Sequence, residues 1–313
     1  MKNTKQKASM MVVVLAAFLI VAANTATGQV IYDSTVSPQP GNLPSLGAEA
    51  YAFKQLGDAV TFTGTARSPK TVTVTMSSWG CQSGSWFGLN CATTPGATFS
   101  LPITLNVYAV GSPAPGGLLF SKTQTFAIPY RPSADNINCT GGNAGKWYSA
   151  SENHCYNGLA NNITFDLTSI SSPLPNSVVF GVSYNTTHYG PAPIGESAPC
   201  FSSSGGCGYD SLNIALSSAV VAGSKPFPNT FYWDTIVSGF YCDGGLDGTN
   251  IFRLDSPTSA CWTGYVPAAQ FTAYTIATTK DGCKNNGWQS LSRADASPFK
   301  NQGDCIQYVN TGK

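Results

Sequence analysis

Thr98-Phe-Ser-Leu-Pro-Ile-Thr-Leu-Asn-Val-Tyr-Ala-Val110, Gly111-Ser-Pro-Ala-Pro-Gly-Gly117 and Leu118-Leu-Phe-Ser-Lys-Thr-Gln-Thr-Phe-Ala-Ile128 follow one another in the chain, and this run decides the fold. The first segment sets Ile103, Leu105 and Val107 on one face, the period of two of a half-buried strand. The middle segment holds only turn formers and small residues, so the two flanking segments pair as an antiparallel hairpin. Pro102 has no N–H to give to a ladder and is expected at the strand's start or at an edge.

Upstream of the hairpin, Thr71-Val-Thr-Val-Thr-Met-Ser77 alternates more cleanly, with Val72, Val74 and Met76 on one face, and Ala59-Val-Thr-Phe-Thr-Gly64 repeats the pattern. Downstream, strands are expected in 161–167, 178–184, 212–216, 231–236, 250–254 and 265–274. The chain has no long helical periodicity and no internal repeat. It is therefore read as all-β: an antiparallel two-sheet β-sandwich, jelly-roll-like, with disulfide-clipped loops and a small C-terminal helical clip.

The 313 residues divide into three parts. Lys2, Lys5 and Lys7 precede the apolar run Met10–Ala23, and Ala26-Thr-Gly28 supplies small residues for cleavage, so 1–28 reads as a secretory signal peptide. Residues 29–278 form the sandwich and 279–313 the clip. No later stretch is long and apolar enough for a membrane span in the mature chain. Removing the signal leaves 13 basic residues against 15 acidic ones, a net charge of −2 with no basic run. That excludes electrostatic capture of nucleic acid as a function class.

All ten cysteines follow the signal, and an even count in an exported chain favours disulfides. Sequence alone leaves many pairings open. The expected one joins successive neighbours, Cys81 with Cys91, Cys139 with Cys155, Cys200 with Cys207, Cys242 with Cys261, and Cys283 with Cys305. Each bridge closes a loop of modest length and contributes about 2–4 kcal/mol. In the tail, Ser297 is the expected cap of a helix with Pro298 at its first position and Gly312 just past its end. Ile306 and Val309 would share a face of it.

The runs Pro102–Tyr108, Gln124–Asp135 and Tyr184-Asn-Thr-Thr-His-Tyr-Gly190 resemble a group of secreted bacterial proteins of unassigned function. Cys283-Lys-Asn-Asn-Gly-Trp288 with Phe299-Lys-Asn-Gln-Gly-Asp-Cys305 resembles a short C-terminal segment that recurs in exported, often actinobacterial, proteins. The resemblance implies export and a β-sandwich, and it carries over no catalytic or binding residue.

Chemistry-bearing residues are sparse. The segment Val178–Leu216 holds one of two histidines, His188, and one of three glutamates, Glu196, with Tyr189 and Asp210. A hydrolase would use His188, Glu196 and Asp210. Against it, the chain has no Gly-x-Ser-x-Gly elbow and no close carboxylate pattern for glycoside hydrolysis. Asp243, Asp247 and Asn250 supply the oxygen ligands calcium prefers, without the spacing of an EF-hand; no other cofactor is expected. Aromatics lie in or beside polar, Gly-rich loops: Trp79, Trp86, Phe87, Trp147, Tyr148, Tyr189, Trp233, Tyr241 and Trp262. Such rings stack on the apolar face of a sugar, with Trp86, Tyr189, His188, Asp210 and Trp233 as the expected ligand-binding set. The reading favours a non-catalytic extracellular or cell-surface protein that binds carbohydrate or a cell-envelope component. A secreted hydrolase and a structural envelope component are the alternatives.

Overall fold

The computed structural model describes residues 28–86, 88–186, 212–255, 262–295 and 297–313. The segment read as a signal peptide lies outside the described residues except for Gly28.

In chain order the strands are β1 (Gln29–Asp33), β2 (Ser45–Gly47), β3 (Gln55–Thr61), β4 (Ser68–Ser78), β5 (Thr98–Ala109), β6 (Leu118–Pro129), β7 (Trp147–Ser149) and β8 (His154–Tyr156). They continue with β9 (Leu159–Asp166), β10 (Ser177–Tyr184), β11 (Leu212–Ser217), β12 (Tyr232–Trp233), β13 (Arg253–Leu254), β14 (Val266–Pro267), β15 (Ala269–Ile276) and β16 (Leu291–Ser292). The helices are α1 (Ala48–Tyr51), α2 (Lys280–Cys283) and α3 (Gln302–Thr311).

One sheet is organised on β4, which carries β9 on one edge and β15 and then β11 along the other. β1 and β16 flank β15, and β2 and β14 flank β11. The second sheet runs β13-β12-β3-β10-β5-β6. Pairing is antiparallel throughout the described residues except between β15 and β16. The stretch 130–158 between β6 and β9 is partly regular, because β7 and β8 pair within the Cys139–Cys155 clip.

The β5–β6 hairpin forms as the alternation requires. Leu101, Ile103, Leu105 and Val107 are buried while Ser100 and Pro102 are exposed. Pro102 lies inside β5 rather than at its start, but the β10 ladder reaches only from Ile103 to Ala109, so β5 is an edge there. The inward residues of both sheets make one core. Phe271 of β15 meets Phe180 of β10 at 5.5 Å, and Phe126 of β6 meets Phe165 of β9 edge-on at 5.0 Å.

β10 shows no alternation, Val178-Val-Phe-Gly-Val182, because both of its faces are covered. Val178, Phe180 and Val182 face the core, while Val179 joins Ala59, Tyr232 and Leu254 in a second cluster on the outer side. Gly57 and Gly181 pair directly at this crowded point. A Cβ on Gly57 would lie 1.8 Å from the Phe180 carbonyl oxygen, so nothing larger fits.

β6 and β9 are the outer strands of their sheets on the same side. The Gln124 side chain of β6 bridges them: its Nε2 donates to the Thr164 carbonyl at 3.2 Å and its Oε1 accepts from the Asp166 N–H at 3.2 Å.

The bridges Cys81–Cys91, Cys139–Cys155 and Cys283–Cys305 form as neighbours. Cys242 is disulfide-bonded, whereas Cys261, Cys200 and Cys207 lie outside the described residues. Arg131 stitches the first two clips together. It is fully buried, its backbone N–H donates to the Gly80 carbonyl, and its Nη2 donates to that of Gly145 at 2.6 Å. Burial pulls its guanidinium down to about 10.

The tail has its own small core of Ala277, Cys283, Phe299 and Cys305, against which Ile306 and Val309 pack as expected from their spacing. The expected cap is corrected. Asn301, not Ser297, caps α3 by accepting from the Asp304 N–H at 2.9 Å, with Gly312 past its end at φ +71°. Phe299 has to turn into the tail core, and that holds Pro298 in a bridge with Ser292 instead of starting the helix. The Ser297 hydroxyl donates to Asp295.

Candidate functional site

A cleft of about 450 Å³ opens where β2, α1 and β11 meet the Cys81–Cys91 clip; it is lined by Ser45, Gly47, Glu49, Ala50, Tyr51, Trp79, Trp86 and Asn213. The floor comes from β11. Asn213 pairs with Gly47 of β2 on one side and Ser77 of β4 on the other, and its amide donates to Ser45 Oγ at 3.0 Å. A Cβ on Gly47 would lie 2.5 Å from Asn213 Oδ1, so the glycine leaves the amide its place.

One wall is the single turn that follows Gly47. Ala48-Glu-Ala-Tyr51 is a run of good helix formers with tyrosine at its end. The turn closes with Ala52 at φ +51° and with the Phe53 N–H donating to the Ala48 carbonyl. Thr235 Oγ1 donates to the Tyr51 carbonyl at 2.7 Å. The half-buried Tyr51 ring packs against Phe240 at 5.4 Å and Trp233 at 6.4 Å.

The opposite wall is two tryptophans. Trp79 leaves the end of β4, and its Nε1 donates to Ser77 Oγ, which donates in turn to Asn42 Oδ1 at 2.7 Å. In the clip, the Ser83–Ala92 bridge and the Ser85 N–H donating to Asn90 Oδ1 build a short turn that carries Trp86. The two indoles meet at 90° with centroids 5.0 Å apart. Gly158 backs this wall: a Cβ there would fall 2.4 Å from Trp79 Nε1 and from Ser77 Oγ. Gly158→Ala is therefore expected to push the Trp79 indole out of place and to cost about 1–3 kcal/mol of stability, read by urea denaturation.

Glu49 is 8% exposed, and its charge bears on Tyr184. Burial, and then the Glu49 carboxylate, push the Tyr184 phenol well above the usual tyrosine range, and its hydroxyl donates to the Leu212 carbonyl at 2.7 Å. The cleft lining thus combines two indoles in edge-to-face contact with an amide, a hydroxyl and a carboxylate.

Of the residues expected from sequence, Trp86 is in this cleft. His188, Tyr189, Glu196 and Asp210 lie outside the described residues; the chain leaves at Thr186 and returns at Leu212, next to Asn213 of the cleft floor. Trp233 is corrected from a ligand-facing ring to a core residue. It is fully buried among Phe53, Tyr241 and Trp262, because the loop after β12 folds back over it. Trp147 and Tyr241 are buried as well.

Of the expected calcium ligands Asp243, Asp247 and Asn250, Asp243 is engaged by an arginine. Both Asp243 oxygens accept from Arg253, at 2.8 and 3.1 Å, and Arg253 Nε donates to the Gly248 carbonyl at 2.8 Å. The guanidinium thus holds the oxygens a cation would need, and no three metal-type side chains gather among the described residues. Burial pushes the Asp243 carboxyl up, but hydrogen bonds from Arg253 and the Gly245 N–H outweigh it and hold the group below the usual range.

A second cleft, of about 460 Å³, lies between Pro38–Gly41 and the β7–β8 hairpin. Its one carboxylate, Glu152, accepts from the Gly41 N–H at 2.9 Å. The Trp147 and Tyr156 rings stand against Gly41.

Sequence reasoning had Trp79 only among the loop aromatics and missed Ser45, Tyr51 and Asn213. Only the convergence of β2, α1 and β11 brings these together. The chain matches no protein-family model, and no curated protein or solved structure shows significant similarity to it.

Proposed function

We propose that this chain is a secreted carbohydrate-binding β-sandwich that holds a sugar ring in the Trp79–Trp86 cleft without turning it over. The observation that carries the reading is the perpendicular tryptophan pair that lines, together with Tyr51, Ser45, Glu49 and Asn213, a cleft of about 450 Å³. An indole face takes the C–H face of a pyranose, and the amide, hydroxyl and carboxylate take its hydroxyls. Among the described residues the lining holds one carboxylate, Glu49, whereas glycoside hydrolysis canonically employs two. Disulfide-clipped loops fit an oxidising, extracellular setting.

A glycan array with the full mature chain is expected to return ligands. Trp86→Ala should weaken the best of them roughly tenfold or more, as truncating an aromatic anchor does. An array without hits, or a Trp86→Ala protein that binds like the parent, overturns the reading. Release of new reducing ends from a bound glycan would reassign the protein to the hydrolases.

A further inference from the structure

Arg131 is fully buried, and most of its hydrogen-bonding capacity is unused. It follows the end of β6, where its backbone N–H on the Gly80 carbonyl fixes it beside Cys81. Its Nη2 reaches the Gly145 carbonyl, inside the Cys139–Cys155 loop, at 2.6 Å. A guanidinium carries five N–H donors. Here Nε and Nη1 have no hydrogen-bond partner among the described residues. We propose that a small monatomic anion, of which chloride is the type, sits against the Arg131 guanidinium and completes the stitch between the Cys81–Cys91 and Cys139–Cys155 clips.

The charge argues for an ion. Arg253, likewise buried, has Asp243 at 2.8 Å, and Lys225 has Asp58 at 2.6 Å. Arg131 forms no ion pair with a carboxylate among the described residues. Asp135, four residues on, is engaged elsewhere: its oxygens accept from the Ile137 and Asn138 N–H groups and from the Asn138 amide. Burial alone lowers the guanidinium to about 10, which still leaves it charged at pH 7. A buried ion with neither countercharge nor hydrogen bonds is among the costliest arrangements a fold can hold.

A water molecule would accept from one N–H and leave the charge uncompensated. A halide does both. Phosphate and sulfate are bulkier and carry more charge than one guanidinium balances, and a side chain wholly closed to solvent favours the smaller ion.

The test is urea denaturation of the full mature chain at constant ionic strength, with sodium chloride replacing sodium isethionate. The midpoint is expected to rise by about 0.5 M urea between zero and about 200 mM chloride and to saturate, as binding to the native state alone requires. Arg131→Met should lose this dependence. Without chloride it should unfold no earlier than the parent, because an apolar side chain then replaces an uncompensated charge. Should the variant fail to fold, crystals of the parent grown in sodium bromide decide, with an anomalous peak expected in hydrogen-bonding contact with the Arg131 guanidinium. A midpoint indifferent to chloride, a dependence that Arg131→Met retains, or a water in place of bromide at Arg131 overturns the proposal. Bromide peaks confined to other places, an adventitious ion only, overturn it as well.

Discussion

Lys225→Met should cost about 3–5 kcal/mol of folding stability at pH 8, and distinctly less at pH 4. Lys225 Nζ lies 2.6 Å from Asp58 Oδ2, with both side chains out of solvent, and it also donates to the Thr230 carbonyl. Asp58 sits on the central strand β3 and accepts from the Ala59 N–H through its other oxygen. Removing the lysine leaves a buried carboxylate with no countercharge.

The pH dependence follows from the same pair. Burial raises the Asp58 carboxyl to about 6, even though Lys225 and the Ala59 N–H pull it down. The folded state thus holds this proton more tightly than the unfolded chain, so the group's contribution is largest below pH 4 and is lost as pH rises from about 4 to about 6. Without Lys225 the carboxyl rises further and the window moves up. The variant's deficit should therefore shrink on acidification, because Asp58 is neutral in both proteins there. Two neighbours respond to the same charge. Burial first, and the Asp58 charge second, push the Tyr32 and Tyr232 phenols above the usual tyrosine range. Urea denaturation at pH 4 and pH 8 reads the result; an equal deficit at both pH values would count against the assignment.

Arg253→Ala should be comparably damaging, by about 3–5 kcal/mol. Its guanidinium is 1% exposed and pairs with Asp243, 7% exposed; it also holds the Gly248 and Leu254 carbonyls. Alanine leaves Asp243 half-desolvated without its partner and orphans two carbonyls. The expected signature beyond lost stability is local: faster amide exchange across 242–251 than across β5 or β10. Replacing both partners, Arg253→Met with Asp243→Leu, should recover part of the loss, since apolar pairs often substitute well for buried ion pairs. A single variant as stable as the parent would show that the loop does not depend on this brace.

The parts of the fold that could be read in advance are those where one face is wet. β4 and β5 alternate because their outer residues, such as Thr73 and Thr104, pair with hydroxyls of neighbouring strands instead of packing. β10 could be found but not oriented, because the side chains of Tyr232, Leu254 and Phe252 pack with Val179 on its outer side and erase the period of two. The short strands β12 and β13 read as longer ones, since Phe231-Tyr-Trp233 is apolar whether it pairs or packs. Neighbouring cysteines could be paired because loop closure is local; the helix cap could not, because Phe299 is claimed by a core that forms only once the tail has folded.

The same physics governs the site. A tryptophan in a Gly-rich loop signals a ring that needs burying, not which side it is buried from. Trp86, in a Ser/Gly-rich loop, lines a cleft, and Trp233, at the end of the apolar run Phe231-Tyr-Trp233, fills the core. What decides is the loop after β12, which covers Trp233 from one side while α1 comes in from the other. Asn213 was invisible for the opposite reason. It occupies a strand position that sequence assigns to ordinary ladder chemistry, and it gains its meaning only from Gly47 and Ser45 beside it.

Gln124 has a consequence for the protein's behaviour in a crowded solution. Two outer strands with unpaired N–H and carbonyl groups are templates on which further chains can stack edge to edge. By offering one amide donor and one amide acceptor to Thr164 and Asp166, the Gln124 side chain imitates a peptide unit of the strand that would otherwise dock there. A single neutral residue in the middle of β6 thereby occupies one acceptor and one donor on the β9 edge. Lys122 of β6 and Asp166 of β9 add opposite charges on the same two edges, which like-edged strands of another chain would have to meet.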